Sequence, residues 1–158
     1  MPAPSTSFAS LLLPLLLLLP LLLLAAPVPA LAEAALSRAV DDAAVKWGPC
    51  PAFLPKGCGI AVLHGDPAKP KADIYLKLPG KSDIARHTHS SAERMVLVAG
   101  ELHVTYEGQK KHVLKPGSYA YGPAKMPHQG RCVSARPCIL FIAFEEPVDA
   151  IPVETAAR

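Results

Sequence analysis

His87 and His89 stand two residues apart, so on an extended strand both imidazoles project from one face, and Glu93 follows after Ser90-Ser91 at the head of an apolar run. Three groups able to bind a metal therefore fall within seven residues. A fourth, His128, comes directly after Pro127 and opens a later strand-like segment, beyond the turn and strand between Gly117 and Pro123. Neutral imidazoles with one carboxylate suit a single divalent transition ion, which could be Fe, Mn, Ni, Zn or Cu. Four protein ligands leave about two positions of an octahedron open for a substrate, O2 or water.

Holding these groups requires strands, and the hydrophobic period changes to two from Asp73 onward. Ile74, Leu76 and Leu78 alternate with Tyr75 and Lys77, and Leu102 and Val104 alternate with Glu101, His103 and Thr105. Met95–Ala99 and Ile139–Phe144 are unbroken apolar runs, the pattern expected of strands buried on both faces. Turn signals recur at Pro79-Gly80, Gly100, Gly108, Pro116-Gly117, Gly122-Pro123 and Arg136-Pro137, at the spacing of a sandwich or small barrel. Upstream, Leu36, Val40, Ala43 and Ala44 have helical spacing and are followed by Gly48, Pro49 and Pro51, which predicts one short helix or a loose arm.

Parity sorts the remaining candidates. Met95 and Leu97 share the parity of Glu93 and are expected to face the lumen, as core or as pocket walls; Arg86 and Arg94 have the opposite parity and are expected at the surface. Tyr119 and Tyr121 make one aromatic strand face, read either as pocket wall or as packing surface. His103 and His112 read as ordinary exposed histidines, and His64 as an outer strand end or a pocket rim.

Cys50, Cys58, Cys132 and Cys138 form an even set compatible with an oxidising compartment. Four cysteines allow three connectivities; local pairing, closing a Pro-rich loop and clamping a hairpin near Ser134–Pro137, is the preferred expectation over four packed thiols. A zinc site is disfavoured because no Cys-x2-Cys pair exists. Cys132 has the parity of His128, so only its pairing with Cys138 removes a thiolate from reach of the metal.

Export is also expected from the first 32 residues, of which 22 are apolar and none has a charged side chain. Residues 11–24 contain twelve Leu broken by Pro14 and Pro20, and Ala30-Leu31-Ala32 offers a signal-peptidase site. The expectation is cleavage after Ala32 and a secreted or periplasmic protein, with no membrane partner once the leader is gone; Pro14, Pro20, Pro27 and Pro29 disfavour an uncleaved spanning helix. All 16 basic and 13 acidic residues lie beyond the leader and no run of like charge exceeds two, which speaks against a nucleic-acid partner. At 158 residues the chain allows one domain.

The motifs His87-x-His89-x3-Glu93-x6-Gly100 and Gly117-x5-Pro123-x4-His128 resemble the two motifs of the cupin superfamily, in particular its small single-domain exported members; 16 residues separate them, from Glu101 to Pro116. The likeness covers residues 59 to 148. Lys81 stands where the first motif usually opens with Gly, Lys125 replaces the second Gly of the second motif, and Cys132 its final Asn. The resemblance implies an all-β jelly-roll barrel, the double-stranded β-helix, with the metal inside on His87, His89, Glu93 and His128. The expected organisation is a signal peptide at 1–32, an arm with a short helix and Cys loop at 33–58, the barrel at 59–148 and a tail at 149–158. Dioxygenase, lyase or isomerase chemistry on a small molecule fits such a site; so does a non-catalytic binding or structural role. Cupins often pair through outer strands, so a homodimer is expected, with Val96 and Val98 on the outer face.

Overall fold

A computed structural model of the chain describes Met1 and residues 33–154; the leader, with its expected cleavage site, lies outside the described residues. All strands seen fall within the unit of residues 36–158; of the other unit, residues 1–35, the described residues 33–35 carry no regular structure. The strands are β1 (Gly48–Pro49), β2 (Gly59–His64), β3 (Asp73–Leu78), β4 (Asp83–Thr88), β5 (Glu93–Ala99) and β6 (Leu102–Tyr106). They continue as β7 (His112–Leu114), β8 (Tyr119–Gly122), β9 (His128–Cys132), β10 (Cys138–Phe144) and β11 (Ile151–Pro152). Two antiparallel sheets result, ordered β1-β2-β3-β10-β5-β8 and β11-β4-β9-β6-β7. Among the described residues no helix occurs, and so none long and apolar enough to cross a membrane.

The short helix expected over residues 33–46 is therefore absent, and the loose-arm alternative holds: isolated turns occupy positions 40–44, closed by Asp42 N to Ala39 O and Val45 N to Asp42 O. A few turns of helix are marginal alone, and only Val45 of this stretch is buried.

Period two builds the core. On β10, Leu140, Ile142 and Phe144 point inward and are buried, while Ile139, Phe141 and Ala143 are half-buried on the outside. On β5, Glu93, Met95 and Leu97 are buried, but Val98 is exposed and Val96 half-buried. The two apolar runs are thus one-sided strands with an apolar outer face, not strands buried on both faces. Ile74, Leu78, Leu102 and Val104 complete the interior from both sheets. Each fully buried large aliphatic contributes about 1.5–3 kcal/mol.

The turns account for the departures from the cupin motifs. Lys81 and Lys125 sit at φ 59° and 64°, left-handed backbone that costs a residue with a Cβ about 1–2 kcal/mol. The motifs place Gly there because only Gly is free of that cost. Local bonds compensate: Lys81 N bonds Ser134 O at 3.0 Å, and Lys125 N bonds His89 O at 2.7 Å. Gly80 itself is required by close approach, since a Cβ there would lie 2.1 Å from Ala135 O.

Both local disulfides form, Cys50–Cys58 and Cys132–Cys138. The second is not the hairpin clamp expected, because β9 and β10 belong to different sheets. It ties the two sheets together at the barrel end away from His128, and it takes Cys132 out of metal reach.

Candidate metal centre

The ligand candidates are placed by pairing across the barrel. His87 on β4 faces His128 on β9 in register, and His89 lies one residue past β4. Glu93 opens β5, in the other sheet. All four side chains are buried, with exposures of 3% to 8%. The nitrogens of His87, His89 and His128 that could bind an ion lie within 4.8 Å of one another.

Backbone carbonyls fix each imidazole. His87 Nδ1 contacts Ala85 O at 2.8 Å, His128 Nδ1 contacts Met126 O at 3.1 Å, and His89 Nδ1 meets Asp149 O. A carbonyl only accepts, so in each ring Nδ1 carries the proton, and in the neutral ring Nε2 presents a lone pair. Two of these nitrogens face a carboxylate: His89 Nε2 is 3.5 Å from Glu93 Oε2, and His128 Nε2 is 3.5 Å from Glu93 Oε1. Glu93 Oε1 is buried without a hydrogen-bond partner. Acceptors facing acceptors in a dry site need a cation or a proton between them, so the residues present fit a divalent ion.

Burial sets the charge states. It holds His87 down at about 4 and His128 at about 3, with neighbouring imidazoles adding to both effects. It pushes Glu93 above the usual carboxylate range, only partly offset by His89. At neutral pH His87 and His128 are thus already in the form that binds metal.

Gly122 makes room for the carboxylate. It pairs with Glu93 across β5 and β8, and a Cβ there would stand 2.8 Å from Glu93 Oε1 and 2.9 Å from its Cγ. Gly122→Ala is expected to push Glu93 off its position and weaken metal binding about tenfold or more while the far-ultraviolet circular dichroism stays unchanged. Unaltered affinity in a metal titration would mean that Glu93 is not a ligand.

Beside the four residues lies a cavity of about 170 Å³, walled by residues including Ile74, Met95, Val104, Leu140 and Phe144. Two segments outside the main strands cover it: Pro51 and Leu54 from the Cys50–Cys58 loop, and Val148, Asp149 and Ala150 from the chain's last part. Phe53 packs its ring 5.8 Å from that of His87. Asp149 is bound to Ser90 twice, through Ser90 N at 2.8 Å and through its hydroxyl.

Of the pocket candidates, Met95 lines this cavity and Leu97, fully buried, packs in the core beyond it. Tyr119 and Tyr121 are a correction. They pair with Val96 and Arg94, share their outward parity, and are 60% and 50% exposed, while Ala120 and Gly122 take the inward positions. Arg94 and Arg86 lie outward as read, paired with Glu145 and Glu107. His112 and His64 are exposed, and His103 is half-buried beside Glu101 at 3.1 Å.

Three neighbours of the site escape the sequence reading. Tyr106 pairs with His128 across β6 and β9, lies 5.3 Å from its ring, and buries a hydroxyl with no hydrogen-bond partner; burial, then Glu93, raises its pKa. The alternation of Leu102 and Val104, continued one step, would have found it. Phe53 and Asp149 carry no local signal, because only tertiary folding brings them near.

Two antiparallel sheets packed around a pocket of three histidines and a glutamate define a jelly-roll barrel with a polar site on an apolar lumen. The family model for the Cupin domain matches residues 75–144, so this stretch of the chain is a cupin domain. Among solved structures it is similar to an RmlC-like cupin from Shewanella frigidimarina, 18% identical with TM-score 0.57 over 73% of this chain and 93% of that one. The polyketide cyclase RemF from Streptomyces resistomycificus is 16% identical with TM-score 0.61, over 77% of this chain and 88% of that one. A crystal structure of the DMSP lyases RdDddP and RnDddQII is 17% identical with TM-score 0.61, over 70% of this chain but 63% of that one. No curated protein sequence matches the chain.

Proposed function

We propose that this protein is an exported metallocupin that binds one divalent transition ion through His87, His89, His128 and Glu93 and acts on a small molecule held in the adjoining cavity. The supporting observation is that three backbone-anchored imidazoles bring their ligand atoms within 4.8 Å of one another, with His89 and His128 Nε2 each 3.5 Å from an oxygen of the buried Glu93 carboxylate, whose Oε1 has no hydrogen-bond partner. An ion bound there would supply Lewis-acid activation of an oxygen on the substrate. The protein's own part is to orient three imidazoles, keeping His87 and His128 neutral by burial, to offer Glu93 as ligand and proton acceptor, and to exclude water with an apolar wall. Lyase, isomerase and dioxygenase reactions all suit this division of labour, and the similar folds of DMSP lyases and a polyketide cyclase accord with it.

One observation favours a second reading. Apart from the four ligands, the only titratable side chain among the described cavity residues is Asp149, which Ser90 already engages. A binding module needs no separate acid or base, so metal-dependent capture of a ligand, or a metal that only stabilises the barrel, is the alternative. Exogenous azide should perturb the spectrum of a bound ion in the first two cases and not in the structural one.

Metal analysis by ICP-MS of mature protein purified without affinity-tag metals, beside a His87→Ala/His128→Ala variant, tests the reading. About one ion per chain, lost in the variant, is expected. No metal in the native protein would overturn it. Export predicts a mature N-terminus at Glu33, readable by N-terminal sequencing. A homodimer through the outer face bearing Val98, Tyr119 and Tyr121 is expected in size-exclusion chromatography, and a monomeric mass would reject it.

A further inference from the structure

The cavity walls restrict the occupant more than the ion does. Around the ligands stand Ile60, Leu76, Ile84, Leu140, Ile142 and Val148, and among the described residues no lysine, arginine, serine, threonine or tyrosine lines the space. Gln129 borders it, but on β9 it alternates outward from His128 and is exposed. Asp149, the remaining polar neighbour, is held by the backbone N–H and hydroxyl of Ser90.

Three consequences follow from these walls. A polyhydroxylated molecule would bury hydroxyls with nothing to bond them, which is costly in a dry site. A divalent ion with one glutamate carboxylate leaves a single positive charge, enough for one anionic group; a second would meet only aliphatic side chains. The space of about 170 Å³ is close to the roughly 150 Å³ that accommodates benzene in an apolar protein cavity.

We propose that the ligand is a compact mono-anion: one ionised oxygen-donor group, such as a carboxylate or enolate, on an apolar body of ring size, with dianions and polyols excluded. This assignment rests on the metal site proposed above.

The test uses full mature protein loaded with Co(II), its metal content measured first. Acetate, cyclohexanecarboxylate, cyclohexane-1,4-dicarboxylate and glucuronate are then titrated, with the visible spectrum of the ion and calorimetry as readouts. These probes share one head group and vary the body. Cyclohexanecarboxylate is expected to bind at least tenfold more tightly than each of the others. Leu76→Ala, half-buried and away from the ligands, should weaken cyclohexanecarboxylate about threefold or more and leave acetate unchanged. Metal-loaded protein that binds glucuronate or the dicarboxylate as tightly as cyclohexanecarboxylate, or a Leu76→Ala variant that loses both probes equally, overturns this proposal alone. Protein that takes up no metal overturns the site reading and the proposal together.

Discussion

Glu93→Gln should make the metal-free protein more stable and the metal-binding protein ineffective. The carboxylate is 3% exposed, burial raises its pKa, and Oε1 has no hydrogen-bond partner. An amide of the same shape removes the buried charge, and its NH2 can donate to the lone pair of His89 Nε2 or His128 Nε2, each now 3.5 Å from a carboxylate oxygen. The gain in the metal-free state should be about 1–3 kcal/mol, the range for restoring a partner to a buried polar group. Metal affinity should fall by about 100-fold or more, since disturbing even a residue that only supports a ligand costs 10- to 100-fold. Thermal denaturation with and without chelator, beside metal titration, reads both effects. A variant that keeps native affinity, or that melts earlier than the chelated native protein, would show that Glu93 is an ordinary satisfied core residue.

Acid should weaken the metal-free protein well above the range where carboxylates alone act. His87 and His128 stay neutral in the fold down to about 4 and about 3, whereas an unfolded histidine protonates near 6.5. Below 6.5 the unfolded chain therefore binds protons that the folded chain refuses, and stability falls with pH at up to about 1.4 kcal/mol per unit for each histidine. Glu93 acts in the opposite sense: its folded pKa is raised from 4.5, so its contribution grows as pH falls toward 4.5 and is then complete. The net loss begins below pH 6.5, is steepest between about 4.5 and 4, and ends near 3. Bound metal holds the imidazoles deprotonated, so acid should also release it. Melting temperatures of chelated protein at pH 7, 5.5 and 4.5 measure the trend; a flat profile would show that these histidines are solvated rather than buried.

The convergence of the candidate ligands was legible because most of it is local. His87, His89 and Glu93 sit in one short stretch where parity alone sets their direction, and His128 follows a turn whose Gly and Pro announce it. The barrel was legible from the alternation in β3 and β6. Whatever depends on which strand meets which was not. Tyr119 and Tyr121 could have faced either way until β8 paired with β5 and set them opposite Val96 and Arg94. Cys132 and Cys138 flank a short loop and read as a hairpin, yet each strand pairs elsewhere, in a different sheet. Asp149 reaches His89 across 60 residues of sequence, a contact that leaves no periodic trace. The helix expected in the arm failed for an energetic reason: its apolar positions have no core to cover.

The segment after β10 has a kinetic consequence. Of the two covers over the cavity, the loop at 50–58 is closed by a covalent bond, whereas the other is held by hydrogen bonds alone: Val148 N to Pro67 O, Asp149 to Ser90 and His89, and β11, a strand of two residues paired to Thr88 and His87 and followed by one bond from Val153 N to Arg86 O. So short an edge strand belongs to the part of a protein that opens most readily. When it peels away it carries Asp149 with it, and with Asp149 the carbonyl that orients His89. Entry of a ligand and loosening of one corner of the metal site are then one motion, so the rate at which small molecules come and go and the rate at which the ion is lost should rise and fall together.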